Sequence, residues 1–460
     1  MQFKKMISML MAVVLCCNIT PYIVKAQEKV TKEDRYEENV NGEDIRLIVT
    51  YKDDVSEETK KEILNENGVE TQDVVENFDT CHIIVLEIDE KKANEVRNKL
   101  QSNPNIEDVQ PDCRICIDDF DKATNITNSK TVESLFKEPF YSYQWGLKNN
   151  GQNIYTSGIA GVDTNIENAW TITVGTEEVL VGVLDSGIDI NNYDIQDNIY
   201  INNGEIPGNG IDDDNNGYID DVNGWDFYND DNSVYDSFDE DCHGTYVASI
   251  IGSTKNDFGI IGVCQKVKII PLKFMSTENG GSTVDAIRAI EYAADLGVKV
   301  INCSWAGTEY NHALKAAMRH SKILFVCASG NQGKDIDVSP MYPACFNIDN
   351  VISVGAIDNK GNIADYSNYG KRNVDVLAPG DGIIGQLPDD MFIISDGTSA
   401  AAPFVTGEAA LIYSLKPDLK GSKVADYITK NVVKEKKNYS RIKSRGRIDI
   451  YQALLYVQNK

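Results

Sequence analysis

Short, almost wholly apolar runs separated by helical stretches constrain this chain more than any other feature. The runs are Val179–Leu184, Val267–Leu272, Val298–Asn302, Ile323–Cys327 and Val351–Gly355. A strand with one wet face alternates apolar and polar residues, whereas a run that is apolar throughout belongs to a strand covered on both faces. Helical stretches such as Thr283–Leu296 and His312–His320 lie between the runs. The expected fold class is α/β: a doubly wound, mostly parallel sheet with helices on both faces, occupying residues 141–460. In such sheets functional groups collect at the carboxyl ends of the strands.

The residues before Tyr141 read differently. Ile45–Tyr51 and His82–Ile88 are strand-like, Ser56–Asn67 and Glu90–Gln101 helix-like, and Ile106–Pro111 reads as a closing strand. Residues 44–112 are therefore expected to form a small α+β domain of their own. Residues 113–140, with an Asn-, Thr- and Ser-rich centre, read as a linker, and residues 27–43 as a polar leader. At the start, Lys4 and Lys5 precede the apolar run Met6–Cys17, and Val24-Lys25-Ala26 follows. That is the pattern of a secretory signal peptide over residues 1–26, the alternative being an uncleaved anchor. The run is short for a bilayer, so the expectation is a secreted, extracellular protein with no stable membrane anchor. The net charge of −27 excludes a nucleic-acid partner, because phosphate binding needs clustered Lys and Arg.

Eight cysteines lie outside the signal segment: Cys81, Cys113, Cys116, Cys242, Cys264, Cys303, Cys327 and Cys345. Secretion permits disulfides, but connectivity is not readable from spacing. Cys303 and Cys327 sit in apolar runs and read as small buried hydrophobes. Cys113-x-x-Cys116 has redox or metal spacing, without a second pair to complete a site.

Three motifs fall where the sheet reading puts functional ends. Asp185 closes the first long run in Asp185-Ser-Gly-Ile-Asp189. His243 opens a helix in His243-Gly-Thr-Tyr-Val-Ala-Ser249. Ser399 lies in Gly397-Thr-Ser-Ala-Ala-Ala-Pro403, ahead of an apolar helix running to about Leu415. Each motif alone reads as a turn or a cap. Together they supply a nucleophile, a base and a carboxylate to orient the base. A serine hydroxyl attacks only when a base removes its proton, and an imidazole titrates in the right range. A carboxylate on the far ring nitrogen fixes the tautomer and stabilises the imidazolium.

The chain order Asp, His, Ser is that of the subtilisins. Over about residues 141–456 the chain resembles the subtilisin-like serine proteases, a resemblance that makes Asp185, His243 and Ser399 the catalytic triad. It also implies that Asn331, in Ala328-Ser-Gly-Asn331, is an oxyanion-hole donor. Asn279-Gly280-Gly281 and Ser304-Trp305-Ala306 resemble the family's two extended segments that pair with a peptide backbone. Trp305 and Met341 fall near the family's pocket walls, either narrowing the pocket or simply packing. Residues 44–112 resemble the inhibitory propeptide of the family, with the maturation cut between about Cys113 and Pro139. Tyr143–Leu147 looks like the start of the mature domain. The chain departs from the pattern at Tyr246, where relatives often have a second histidine, and at Ala400, where methionine is common. Cys242, just ahead of His243, is expected to confer sensitivity to mercurials.

An oxygen-rich stretch, Asn209–Asp221, has Asp212, Asp214 and Asn216 at alternate positions, then Gly217, Tyr218 and Asp220. This matches the start of an EF-hand loop, with Asn223 where the usual glutamate would stand. A structural Ca²⁺ is expected here, a solvated acidic turn being the alternative. The family resemblance suggests a second site at Asp194 and Asn256. The resulting expectation is a calcium-dependent serine endopeptidase. It would be made as a zymogen and act on polypeptides through an acyl-enzyme, with its own propeptide as inhibitor and chaperone. The alternative is a catalytically silent pseudoprotease that binds peptides or a partner.

Overall fold

The computed structural model describes residues 44–117, 124–125, 138–434 and 437–460. Residues 45–460 form one compact unit.

The N-terminal part is an antiparallel sheet of β1 (Ile45–Tyr51), β2 (Val74–Phe78), β3 (Ile83–Ile88) and β4 (Ile106–Pro111), in the order β2-β3-β1-β4. Helices α1 (Glu57–Glu66) and α2 (Glu90–Gln101) accompany it. Ser56 starts α1 by accepting the Thr59 N–H, and Asp89 starts α2 by accepting the Lys91 N–H. The period of two explains the strands. Leu47, Val49 and Tyr51 join Ile84, Leu86 and Ile88 in a core with Ile63, Leu64, Val96 and Leu100 of the helices. Ile48, Ile83 and Val85 point to the other face and belong to a cluster that includes Ile287, Ile290, Ala313 and Ala317 of the large domain. With both faces covered, the polar gaps of a surface strand are missing from most of β1 and β3.

In the large domain a nine-stranded sheet runs β18-β19-β15-β14-β13-β12-β7-β9-β8. Its strands are β7 (Gly175–Asp185), β8 (Trp225–Asp226), β9 (Lys266–Lys273), β12 (Val300–Cys303), β13 (Leu324–Ala328), β14 (Val351–Ile357), β15 (Val376–Pro379), β18 (Val432–Val433) and β19 (Arg447–Ile448). Every neighbouring pair is parallel except β18 with β19. The longer helices are α3 (Phe238–Gly252), α4 (Thr283–Asp295), α5 (His312–Ser321), α6 (Thr398–Leu415), α7 (Gly421–Lys430) and α8 (Ile450–Gln458). Two apolar clusters divide the helices. Val247, Val405 and Leu454 share one with Val181 and Val326, while Ile287 and Leu314 share the other with Ile270 and Ile301. Two small ladders complete the fold. β10 (Met275–Ser276), β11 (Gly280–Ser282) and β5 (Arg114–Ile115) form one; β16 (Ile383–Leu387), β17 (Met391–Ser395) and β6 (Thr124–Asn125) form the other.

One residue of α6 breaks the pattern. Glu408 is wholly buried and neither carboxyl oxygen has a hydrogen-bond partner. Burial, and then Asp449, push its carboxyl well above the usual range, so the folded chain holds it neutral. The unfolded chain ionises it above about pH 4.5, so its contribution to stability is full below that pH and is lost as pH rises. Glu408→Gln is neutral at every pH and keeps the shape. Its melting temperature should match the parent's near pH 4 and exceed it by roughly 4 °C or more at pH 8. A difference that does not grow between the two pH values would show that ionisation is not the cause.

Candidate active site

Asp185 is the last residue of β7, and its backbone pairs with Lys273 at the end of β9. Its carboxylate accepts the Ser186 N–H at 2.8 Å and lies 2.7 Å from Nδ1 of His243; both side chains are wholly buried. His243 does not open its helix. α3 begins at Phe238, capped by Ser237, with Asp239, Glu240 and Asp241 in its first turn. The histidine therefore sits in the second turn, where packing rather than fraying fixes its ring. The glycine after it has a steric reason: a Cβ on Gly244 would lie 2.1 Å from the Gly187 carbonyl oxygen. Only glycine lets α3 approach the turn after Asp185, where Ser186 Oγ accepts the Gly244 N–H and Thr245 Oγ1 accepts the Asp189 N–H.

Ser399 lies within the first turn of α6 rather than ahead of it, and is nearly buried. Amide N–H groups at a helix start are unsatisfied and carry partial positive charge, a setting suited to an oxyanion. Asn331 follows β13. Its Oδ1 accepts both the N–H and the hydroxyl of Thr398, at 2.8 and 2.9 Å, which fixes the amide's orientation. Its Nδ2 then points to the serine side: a Cβ on Gly397 would lie 3.6 Å from Nδ2 and 2.8 Å from Ser399 Oγ. Behind the serine, the Ser304 hydroxyl donates to the Ser399 carbonyl at 2.9 Å. Asn302 donates to Ser304 Oγ and accepts from Thr406. This buried chain ties β12 to α6.

The Asn279–Gly281 segment is paired, and its partner is the chain's own tail. Ile115 and Arg114 of β5 lie antiparallel to Gly281 and Ser282 of β11. The Arg114 Nε–H donates to the Asn279 carbonyl at 2.6 Å, and the Thr283 N–H donates to the Cys113 carbonyl at 3.0 Å. A Cβ on Gly280 would lie 2.2 Å from the Ile115 carbonyl oxygen, so the glycines permit this close approach. Trp305 is 2% exposed, donates its indole N–H to the Leu184 carbonyl and packs on Phe274. Met341 and Ala306 are buried as well. Tyr246 is buried, donates to the Ile383 carbonyl and fills space left by Gly385. Burial pushes the Cys242 thiol up to about 11. The eight cysteines among the described residues, from Cys81 to Cys345, are free.

In the acidic loop, Asp212 and Asp214 come together with Glu205, their carboxylate oxygens within 4.8 Å of one another. Asp212 accepts the N–H groups of Asn216 and Gly217, and Asn216 accepts that of Tyr218. Asp220 is not in this group. Its carboxylate is spent on the N–H groups of Asn209 and Gly210. Asn223 donates to the Tyr200 carbonyl. Glu205 lies outside the alternating pattern, so no spacing rule could have found it.

At the second acidic position, Asp194 is wholly buried. One carboxyl oxygen accepts the Ile260 N–H and the other has no partner. Glu138, 2% exposed, is in the same state: one oxygen accepts the Asp257 N–H and the other has no partner. Burial, and then Glu138 and Asp390, push Asp194 up to about 8. Two buried carboxyls with spare oxygens fit a hard cation with oxygen ligands. The side chain of Asn256 donates to Tyr193 O and Thr254 Oγ1, and its Oδ1 accepts the Phe258 N–H. Glu138 escaped notice because it was assigned to the linker.

The fold and this set of side chains define the class: a doubly wound α/β protein arranged as serine hydrolases are. The family model described as the subtilase family matches residues 176–446, more than half the chain, and the chain belongs to that family. It is 28% identical over 473 residues to the thermophilic serine proteinase of Bacillus sp. (strain AK1), covering 99% of this chain and 100% of that one. It is 32% identical to the cell wall-associated protease of Bacillus subtilis (strain 168), covering 67% of this chain and 32% of that one. To subtilisin-like protease 2 of Plasmodium falciparum it is 36% identical over 54% of its length, spanning 18% of that relative. Fervidolysin from Fervidobacterium pennivorans shares the fold, with a TM-score of 0.68 at 22% identity over 90% of this chain and 62% of that one. Among the described residues, no helix is long and apolar enough to cross a membrane; the expected signal peptide lies outside them.

Proposed function

We propose that this chain is a secreted, calcium-dependent serine endopeptidase made as a zymogen, with Asp185, His243 and Ser399 as its triad. The observation that carries this reading is the buried 2.7 Å contact between Asp185 and His243 Nδ1, with Ser399 in the first turn of α6, the helix that packs against α3. Asp185 keeps the Nδ1 proton in place, leaving Nε2 to take the proton of the Ser399 hydroxyl as its oxygen attacks the scissile carbonyl. The amide of Asn331 and the N–H groups at the start of α6 stabilise the oxyanion. His243 then gives its proton to the leaving amine, and a water attacking through the same base releases the acyl group.

Peptide substrates would add a strand to Asn279–Gly281, with Ser304–Ala306 on the opposite side. The 112–115 tail holds that strand position now, which supports the zymogen reading: the product of maturation starts as its own inhibitor. Calcium would be held by Glu205, Asp212, Asp214 and Asn216, with the Tyr218 carbonyl, and by Asp194 and Glu138 near Asn256. Its part is structural, neutralising carboxylates that otherwise repel.

A fluorophosphonate probe tests the reading. The expected result is one adduct per chain, at Ser399, with parallel loss of casein hydrolysis. A folded protein that hydrolyses no casein and takes no label would favour the pseudoprotease.

A further inference from the structure

A lysine is almost never fully buried unless it is paired, and Lys273 is wholly buried. It ends β9 beside Asp185 at the end of β7, and the Phe274 N–H donates to the Asp185 carbonyl at 3.1 Å. Its ammonium meets three carboxylates. Asp226 of β8 and Asp241 of α3 each lie 3.1 Å away, and Asp236, just ahead of α3, pairs with it too. Asp226 and Asp241 are themselves wholly buried. The proposed mechanism uses none of the four.

The two acids on the helix side bear on His243. Asp241 lies in the first turn of α3, two residues before the histidine. It also accepts the N–H groups of Asp236 and Ser237, which lead into the helix. The cluster packs on the turn after Asp185 as well: a Cβ on Gly187 would lie 2.9 Å from Asp241 Oδ1 and 3.0 Å from Lys273 Cδ. Lys273 thus ties the start of the helix that carries His243 to the strand end beside Asp185. The 2.7 Å contact between Asp185 and His243 spans the same two places.

We propose that Lys273 is a positioning residue for His243, acting through Asp241 and Asp236. This rests on the reading of His243 as the base. Asp185 holds the ring at one atom, Nδ1, and the backbone of α3 sets the rest; Lys273 fixes where that backbone starts. The link is stiff, because opening it would leave buried charges without partners.

The test is kcat and KM of the processed enzyme on a short chromogenic peptide, per active site. Sites are counted by fluorophosphonate labelling of Ser399 carried to completion. The proteins are the parent, Lys273→Met, Asp241→Asn and the double variant. A merely structural role would reduce the number of sites and leave each remaining site as fast as the parent's. A positioning role slows every site. Each single variant is expected to lose on the order of 10²-fold in kcat per site, the cost of misplacing a reacting group by about 1 Å, with KM steady. Both changes break one link, so the double variant should be about as slow as the slower single, whereas independent losses would multiply. Asp241→Asn removes a charge rather than stranding three, and carries the test if Lys273→Met does not fold. A kcat per site equal to the parent's in a variant that folds, or losses that multiply, overturns the positioning role. A folded parent that takes no label and turns over no peptide overturns the peptidase reading itself, and this proposal with it.

Discussion

Replacing Ser399 by alanine is expected to lower peptide hydrolysis on the order of 10⁶-fold, the magnitude known for the nucleophile of subtilisin itself. It should also leave the 45–117 domain attached. The two effects have one origin. The tail that ends the N-terminal domain lies along β11 through Cys113, Arg114 and Ile115, in the position proposed for a substrate strand. On the proposed zymogen reading, the chain would cut itself there once and then retain the fragment through the contacts of Ile48, Ile83 and Val85. Intact mass of purified parent and Ser399→Ala protein, both in calcium, reads the outcome. Parent trimmed and variant whole would support self-maturation and locate the cut. Equal trimming of both would assign the cut to another protease, and two untrimmed proteins would argue against self-maturation. The variant removes one buried oxygen at a helix start, so its fold should survive. Its melting temperature serves as the control.

The sheet was legible because burial on both faces leaves a simple signature. Ile301, Val326 and Ile352 stand in runs with almost no polar interruption, and each run became a strand. β2 was not legible: Val74–Phe78 is an edge strand, and its Glu76 and Asn77 carry the polarity of a loop. His243 was found but placed one turn early, because three acids before it read as loop when they are the first turn of α3. The motif residues were legible because backbone geometry fixes their neighbours: Gly244 is demanded by Gly187, and Gly280 by Ile115. The acids proposed to hold cations were legible only within one loop. Glu205 and Glu138 join acids distant in sequence through folding, and no spacing carries that information. Asp220 matched the loop pattern and was taken instead by two backbone N–H groups, since an acid in a turn serves whichever donor is nearest.

Stripping calcium is expected to lower the melting temperature by roughly 5 °C or more, and the Asp194 site should account for more of it than the acidic loop. The reasoning compares burial. Asp194 is wholly buried and Glu138 nearly so, each with an oxygen lacking any partner, and each raises the cost of ionising the other. A buried, unpaired charge costs several kcal/mol, so without a cation one carboxyl must stay protonated or the 254–260 loop must open to water. A bound cation at a thousand times its dissociation constant contributes about 4 kcal/mol, and a chain of this size shifts by roughly 1 °C for each kcal/mol. The Glu205, Asp212 and Asp214 cluster is more exposed, since Asp214 is open to solvent and Asp212 partly so. Water screens its carboxylates, and its loss costs less. Asp194→Asn with Glu138→Gln keeps the shapes and removes both charges. That double variant should melt close to the stripped parent and respond weakly to added calcium, whereas Asp212→Asn with Asp214→Asn should keep most of the response. Differential scanning calorimetry with EGTA and with excess calcium separates the cases. A calcium response carried wholly by the loop variants would place the stabilising ion at the loop, and the buried pair would then be held by a shared proton alone.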